Sequence, residues 1–236
     1  MENKIQILST KPIGAKLARI AGEHDICIDE VPFIKTEEIV SEELKKRIAA
    51  LSKQNITAVF TSANAVNAVK KLLPGKTSWK IFCIGYQTKN SAVDTFSEKN
   101  IIGIADNGEE LGEEIIKHSS VKKIIFFCGN QRREVLPEKL KKNGIELEEI
   151  VVYKTIEKPK IISKHYAGIL FFSPSGVRSF FSVNKINETV QIFAIGATTA
   201  KEIKTYSQLP IIIPGHPDKE ELIHLVIKHF STIKSF

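Results

Sequence analysis

The sequence predicts an α/β protein built from two units of parallel β-strands, about five strands in each. Three observations predict it: short apolar runs at regular intervals, charged amphipathic stretches between them, and an internal repeat. The runs are mostly continuous rather than alternating, which is how strands read when helices cover both faces of a parallel sheet.

In chain order the runs are IQIL (5–8), ICI (26–28), AVF (58–60), IFCI (81–84), IIGI (101–104), IIFF (124–127), ELEEI (146–150), ILFF (169–172), IFAI (192–195) and III (211–213). Stretches such as EELKKRIAAL (42–51) and PEKLKKNG (137–144) separate them and carry apolar residues at helical spacing. Residues 56–120, shifted by 111, fall without a gap on residues 167–231. Phe60 meets Phe171, Ser62 meets Ser173, Gly85 meets Gly196, Thr88 meets Thr199, and Glu109-Glu110-Leu111 meets Glu220-Glu221-Leu222. A looser pairing, at a shift of 119, sets IDEVPFIKT (28–36) on LEEIVVYKT (147–155). The chain therefore reads A1, B1, A2, B2. The duplication leaves open whether A1 folds with B1 or with B2; the second choice makes the chain cross twice between domains, through repeat-related strand-like stretches that would form a hinge beside a cleft.

Composition narrows the function classes. The formal charge is +7, spread as +4 over residues 35–156 and +3 over the rest, with no basic tail and no run of five Lys or Arg. Nucleic-acid binding loses its usual supports. No apolar run approaches the ~20 residues of a membrane span, and the start, MENKIQIL, has no signal-peptide pattern, so a cytoplasmic protein without membrane attachment is expected. Cys27, Cys83 and Cys128 lie in or beside apolar runs and read as reduced, buried thiols.

Five turns carry the candidate chemistry: SAN (62–64), IGYQT (84–88), CGNQRRE (128–134), SPSG (173–176) and IGATT (195–199). Each follows a strand and opens a helix through small or hydroxyl residues. Ligands of open parallel sheets sit at the carboxyl ends of the strands, where first-turn amides lack intrahelical partners and the helix dipole favours anions. Helix capping accounts for any one of these turns. Five of them in repeat-related sets, with Arg132 and Arg133 read as lying in a first helical turn, point further, to a bound anion. No G-x-G-x-x-G follows a strand, and no P-loop, H-E-x-x-H or G-x-S-x-G is present, so no nucleotide cofactor, metal or serine nucleophile is expected.

VFTSANAV (59–66), FFCGNQRREVLP (126–137), VVYKT (151–155), FFSPSGVRSFF (171–181) and AIGATTAKEI (194–203), in this order, resemble the uroporphyrinogen-III synthase family. STKP (9–12) departs from it, with Lys11 where many relatives carry Arg. The resemblance implies two flavodoxin-like parallel-sheet domains joined by a two-stranded linker: residues 1–34 with 158–236, residues 37–150, and linker strands at 33–36 and 151–157. It implies a cofactor-independent hydro-lyase that closes hydroxymethylbilane, an octacarboxylate, with inversion of ring D and loss of water.

The resemblance also implies a catalytic role for Tyr153. The same comparison and the turns together give the substrate-binding set Thr10, Lys11, Ser62, Ala63, Asn64, Gly85, Gln87, Thr88, Gly129, Asn130, Arg132, Ser173, Ser175, Gly176, Gly196, Thr198 and Thr199. A monomer is expected, with transient contact to the preceding pathway enzyme as a possible partner interaction. The rival readings are a two-domain binding protein for a small anion and a flavodoxin-like enzyme acting on sugar or phosphate esters.

Overall fold

A computed structural model describes residues 4–233. The chain opens with β1 (Ile5–Ser9), α1 (Ala15–Gly22), β2 (Ile26–Glu30) and β3 (Ile34–Glu38). It continues through α2 (Glu42–Ser52), β4 (Thr57–Phe60), α3 (Ala63–Leu72), β5 (Lys80–Ile84), α4 (Tyr86–Phe96), β6 (Ile101–Ala105) and α5 (Gly108–Lys117). Then follow β7 (Lys123–Gly129), α6 (Val135–Lys142), β8 (Glu146–Glu157), β9 (Gly168–Phe171) and α7 (Pro174–Phe181). The last elements are β10 (Gln191–Ala194), α8 (Ala197–Ile203), β11 (Ile211–Ile212) and α9 (Lys219–Ile233).

The chain divides into two compact units, one made of the residues through Lys35 together with those from Ile156 onward, the other of Thr36–Thr155. A1 thus folds with B2, and B1 with A2. In the first unit the sheet order is β11-β10-β9-β1-β2 with all neighbours parallel. Counted along that unit's own chain this is the 2-1-3-4-5 order of flavodoxin-like sheets. In the second unit the order is β3-β8-β7-β4-β5-β6. Under the two repeat shifts β7 and β8 correspond to β1 and β2, and β4, β5 and β6 to β9, β10 and β11. The second unit is therefore the same sheet, entered at its third strand.

Eleven strands form among the described residues, the ten apolar runs and one more. The eleventh is β3, which falls on the linker strand expected at 33–36 and lies beside β8 in the six-stranded order. β8 joins the run ELEEI and the linker strand expected at 151–157 into one: ELEEIVVYKTIE is rich in β-branched residues and meets no Gly or Pro until Pro159.

Each sheet is covered on both faces, which is why its strands read as unbroken apolar runs. In the second unit Ala58, Phe60, Phe127 and Val152 enter one core layer, while Val59, Phe82, Phe126 and Cys128 enter the other. The fully buried Trp79 ring stacks on Phe96 and Phe127 at 5.5 and 5.4 Å, and its indole N–H donates to the Leu51 carbonyl at 3.0 Å. In the first unit Ile7, Leu170 and Phe193 face one layer, and Leu8, Phe171 and Ile192 the other. Buried Phe33 packs edge-on against Phe180 at 5.2 Å, and its carbonyl accepts from the Lys158 N–H at 2.8 Å, tying the start of β3 and the end of β8 to this unit.

Candidate functional site

In a 2-1-3-4-5 sheet the strand order reverses between the first and third strands, and that crevice is where ligands of such sheets bind. In the second unit these strands are β7 and β4. β7 ends in Cys128-Gly129, and β4 gives way to Ser62 at the N-cap of α3. Pairing between β7 and β8 slips at this point: Cys128 lies opposite Val151, and Gly129 opposite Tyr153. Alternation would send residues 152 and 153 to opposite faces, yet Val152 and Tyr153 both pack on the same core layer. The irregularity aims the tyrosine ring across Gly129 toward β4.

Two close approaches define the result. A Cβ on Gly129 would lie 2.5 Å from Tyr153 Cζ and 2.8 Å from its hydroxyl, so only glycine leaves space for the ring. Ser62 Oγ donates to the Tyr153 hydroxyl at 3.0 Å and accepts the Ala65 N–H at 3.3 Å. With Ser62 in the donor role, the phenol proton is left without a protein acceptor among the described residues. Burial pushes the Tyr153 pKa above its ordinary value, against the smaller opposing effect of the Ser62 hydrogen bond. The group is a neutral donor at neutral pH.

The turn beyond β7 is pinned to β8. The Asn130 N–H donates to the Tyr153 carbonyl at 3.2 Å, and its side-chain oxygen accepts the Thr155 N–H at 2.8 Å. α6 begins only at Val135, so Arg132 lies in the turn before the helix rather than in its first turn, where the sequence reading puts it. Its guanidinium is held by Glu149 and Glu134, which offset its charge locally. Sequence reasoning misses both carboxylates; an acidic pair at 148–149 on the strand next to β7 is the available signal.

At the carboxyl end of β5, Gly85 takes φ 74°, a left-handed conformation natural to glycine, and opens α4. No side chain caps α4, so the first-turn amides at Tyr86, Gln87 and Thr88 lack the partner that Ser62 gives α3. Ala63 is half-buried, Asn64 and Gln87 are exposed, and Thr88 is buried.

The first unit repeats the plan with different residues. Thr10 stands where Gly129 does under the shift of 119, and Ile34 where Tyr153 does. Thr10 is buried, and its hydroxyl donates to the Leu170 carbonyl at 2.8 Å. Ser173 caps α7 by accepting the Gly176 N–H at 3.1 Å, and its hydroxyl lies 3.2 Å from that of Ser175. Gly176 and Ser175 are buried, the former with Ser173 Oγ 3.3 Å from where its Cβ would be. Gly196 precedes α8, again without a side-chain cap; Thr198 is exposed and Thr199 buried. The amides of Ile13 and Gly14, at the start of α1, are already taken by the Glu30 carboxylate at 2.8 and 3.2 Å, a partner the sequence reading does not name.

Capping is thus the structural role of both serines. Ser173→Ala is expected to destabilise the protein by about 1 kcal/mol, the usual cost of losing such a cap. Urea denaturation followed by circular dichroism measures it, with a lowered midpoint and an unchanged slope as the expected result.

A hollow of about 480 Å³ lies elsewhere, among the amino ends of β4 and β7 and lined in part by Arg47, Asn55, Lys122 and Glu148. Helices end there with their negative dipole poles, and Arg47 is paired with Glu148, so an anion gains little. The carboxyl-end rim bears the amides, hydroxyls and Tyr153 described above. Among the described residues no three His, Cys, Asp or Glu side chains are grouped to hold a metal, and no helix is long and apolar enough to cross a membrane.

Two flavodoxin-like sheets, one entered at its third strand, with hydroxyl- and glycine-bearing turns at their carboxyl ends, define a duplicated α/β protein. The family described as "Uroporphyrinogen-III synthase HemD" matches residues 15–224, and the chain belongs to it. A "Uroporphyrinogen-III synthase" of Saccharomyces cerevisiae is 24% identical over 147 residues, 52% of this chain and 54% of the yeast protein. The chain thus aligns with about half the length of that curated relative. Among solved structures, a mutant uroporphyrinogen III synthase of Thermus thermophilus aligns with TM-score 0.69 over 98% of this chain and 100% of its own, at 12% identity. The uroporphyrinogen-III synthetase of Helicobacter pylori 26695 aligns with TM-score 0.66 over 95% of this chain and 99% of its own, at 17% identity. Their likeness carries the fold.

Proposed function

We propose that this protein cyclises hydroxymethylbilane to uroporphyrinogen III, inverting ring D and releasing water, and that it does so without a cofactor. The observation that carries this reading is the Tyr153 phenol, held over Gly129 with Ser62 Oγ 3.0 Å away and its own proton free of protein acceptors among the described residues. The hydroxymethyl group of an electron-rich pyrrole leaves as water once its oxygen receives a proton or a strong hydrogen bond, and Tyr153 is placed to donate one. The cationic azafulvene left behind is attacked by a carbon of the terminal pyrrole. Attack by the substituted carbon gives a spiro intermediate whose collapse inverts the ring.

Such a bilane also closes unaided, without inversion, so the larger task is to hold the substrate bent for attack at the substituted carbon. The uncapped amides of α4 and the exposed Thr198 are the groups proposed to take substrate carboxylates. Thr88 and Thr199, being buried, have less solvent-facing hydroxyl surface to offer than Thr198. The chemistry asks for proton donation and shape alone, which supports action without a cofactor. A cytoplasmic monomer, fed by the enzyme that makes the bilane, completes the reading.

The test is incubation with freshly prepared hydroxymethylbilane followed by oxidation and chromatographic separation of the porphyrin isomers. Isomer III in excess is the expected product. Isomer I alone, at the uncatalysed rate, would return the protein to the anion-binding reading.

A further inference from the structure

Around the loop that follows β1, one set of charges is fully employed and another is not. Lys219, the first residue of α9, donates from Nζ to the Pro12 carbonyl at 3.0 Å. This sets its ammonium one residue along the chain from Lys11. Among the described residues neither lysine has a carboxylate within salt-bridge distance.

Carboxylates are not lacking nearby, but each is engaged elsewhere. Glu30 accepts the Ile13 and Gly14 amides. Glu220 pairs with Lys16 at 2.8 Å. Glu221 accepts the Gly215 and His216 amides at 2.8 and 3.1 Å, and Asp218 the Glu220 and Glu221 amides at 2.7 and 3.0 Å. Lys219 also stands at the positive pole of α9, which repels a cation.

A fold that bonds the Lys219 ammonium to the loop carrying Lys11, at a helix pole of the same sign, has left a place for negative charge from outside. We propose that Lys11 and Lys219 act together as a grip for one carboxylate of the anionic substrate, with Lys219, fixed by its bond to Pro12, as the specificity-determining member. The proposal rests on the functional reading above. It locates the grip at the carboxyl end of β1, next to the turn that Ser173 begins on the neighbouring strand. The Lys11 pKa lies below the usual lysine value, first because protein atoms crowd the ammonium and then because of Lys219, which agrees with two cations held close without a counter-ion. The negative charge of a bound carboxylate would act in the opposite direction and raise it.

The experiment uses the full chain and a stable octacarboxylate probe, uroporphyrin III, titrated by fluorescence anisotropy at fixed ionic strength. Lys219→Gln is expected to weaken binding about tenfold, the usual scale for losing one charge-assisted hydrogen bond, whereas Lys219→Arg stays within about twofold of the parent. Lys11→Gln should match Lys219→Gln, and the double variant should fall short of the product of the two, because the pair acts as a unit. Turnover of hydroxymethylbilane should show the same ranking in KM with kcat little changed. Parent-like binding by a folded Lys219→Gln variant overturns the grip, as does equal weakening by Gln and Arg, which would mean that the bond to Pro12 rather than the charge matters. Absence of isomer III from the parent would instead overturn the functional reading and leave the probe titration to decide the grip.

Discussion

Tyr153→Phe is expected to lower the rate of isomer III formation by about 100-fold, the lower end of what a positioned proton donor contributes, while leaving the fold intact. The substitution removes one oxygen and keeps the ring that packs over Gly129, so the core layer beneath it is unchanged. On the proposed mechanism, what is lost is the donor to the departing hydroxyl. Because the bilane closes by itself to isomer I, the readout must be isomer III and not total porphyrin.

The pH profile separates this role from a structural one. Burial raises the Tyr153 pKa above its ordinary value of 10.0, so the phenol keeps its proton throughout the neutral range. A group that acts as a protonated donor gives a rate flat at neutral pH and falling only as pH passes its raised pKa. The parent should therefore show an alkaline limb above pH 10.0, and Tyr153→Phe should lack it. Parent-like kcat in the phenylalanine variant would remove Tyr153 from the mechanism.

Gly129→Ala should be as damaging to activity, and it should also cost stability. The new methyl group would meet Tyr153 Cζ at 2.5 Å and Cε2 at 2.6 Å, well inside van der Waals distance, with β7 held between β4 and β8. The strand has little freedom to retreat, so the ring must swing away from Ser62. Overpacking of this kind costs about 1–3 kcal/mol. The double variant Gly129→Ala/Tyr153→Ala removes the clash, and its loss of stability should be clearly smaller than the sum of the two single losses. Its kcat should remain low, since relief of strain does not restore a donor. Additive stabilities would mean that the ring and the glycine do not press on one another.

Much of this is open to reading along the chain. Strands are short and local, and the run TAVF at 57–60 carries its burial in its composition, as GILF does 111 residues later. The repeat makes each unit a check on the other, and the serines before α3 and α7 announce caps that the structure confirms. Harder to read are the partners of the charged turn residues. Arg132 looks available to an anion until β8 brings Glu149 beside it, and the amides opening α1 look open until β2 delivers Glu30.

The amino-acid order by itself determined the α/β class, the duplication, the strand-to-helix turns and the family motifs, because periodicity, capping and repetition are properties of neighbours along a chain. Only the tertiary structure decided that A1 folds with B2, that a slipped register lays Tyr153 across Gly129 onto Ser62, and that Lys219 reaches Pro12 beside Lys11. The bond from Ser62 to Tyr153 spans 91 positions and that from Lys219 to Pro12 spans 207, and which side chains meet across such gaps depends on sheet order and register rather than on local preference.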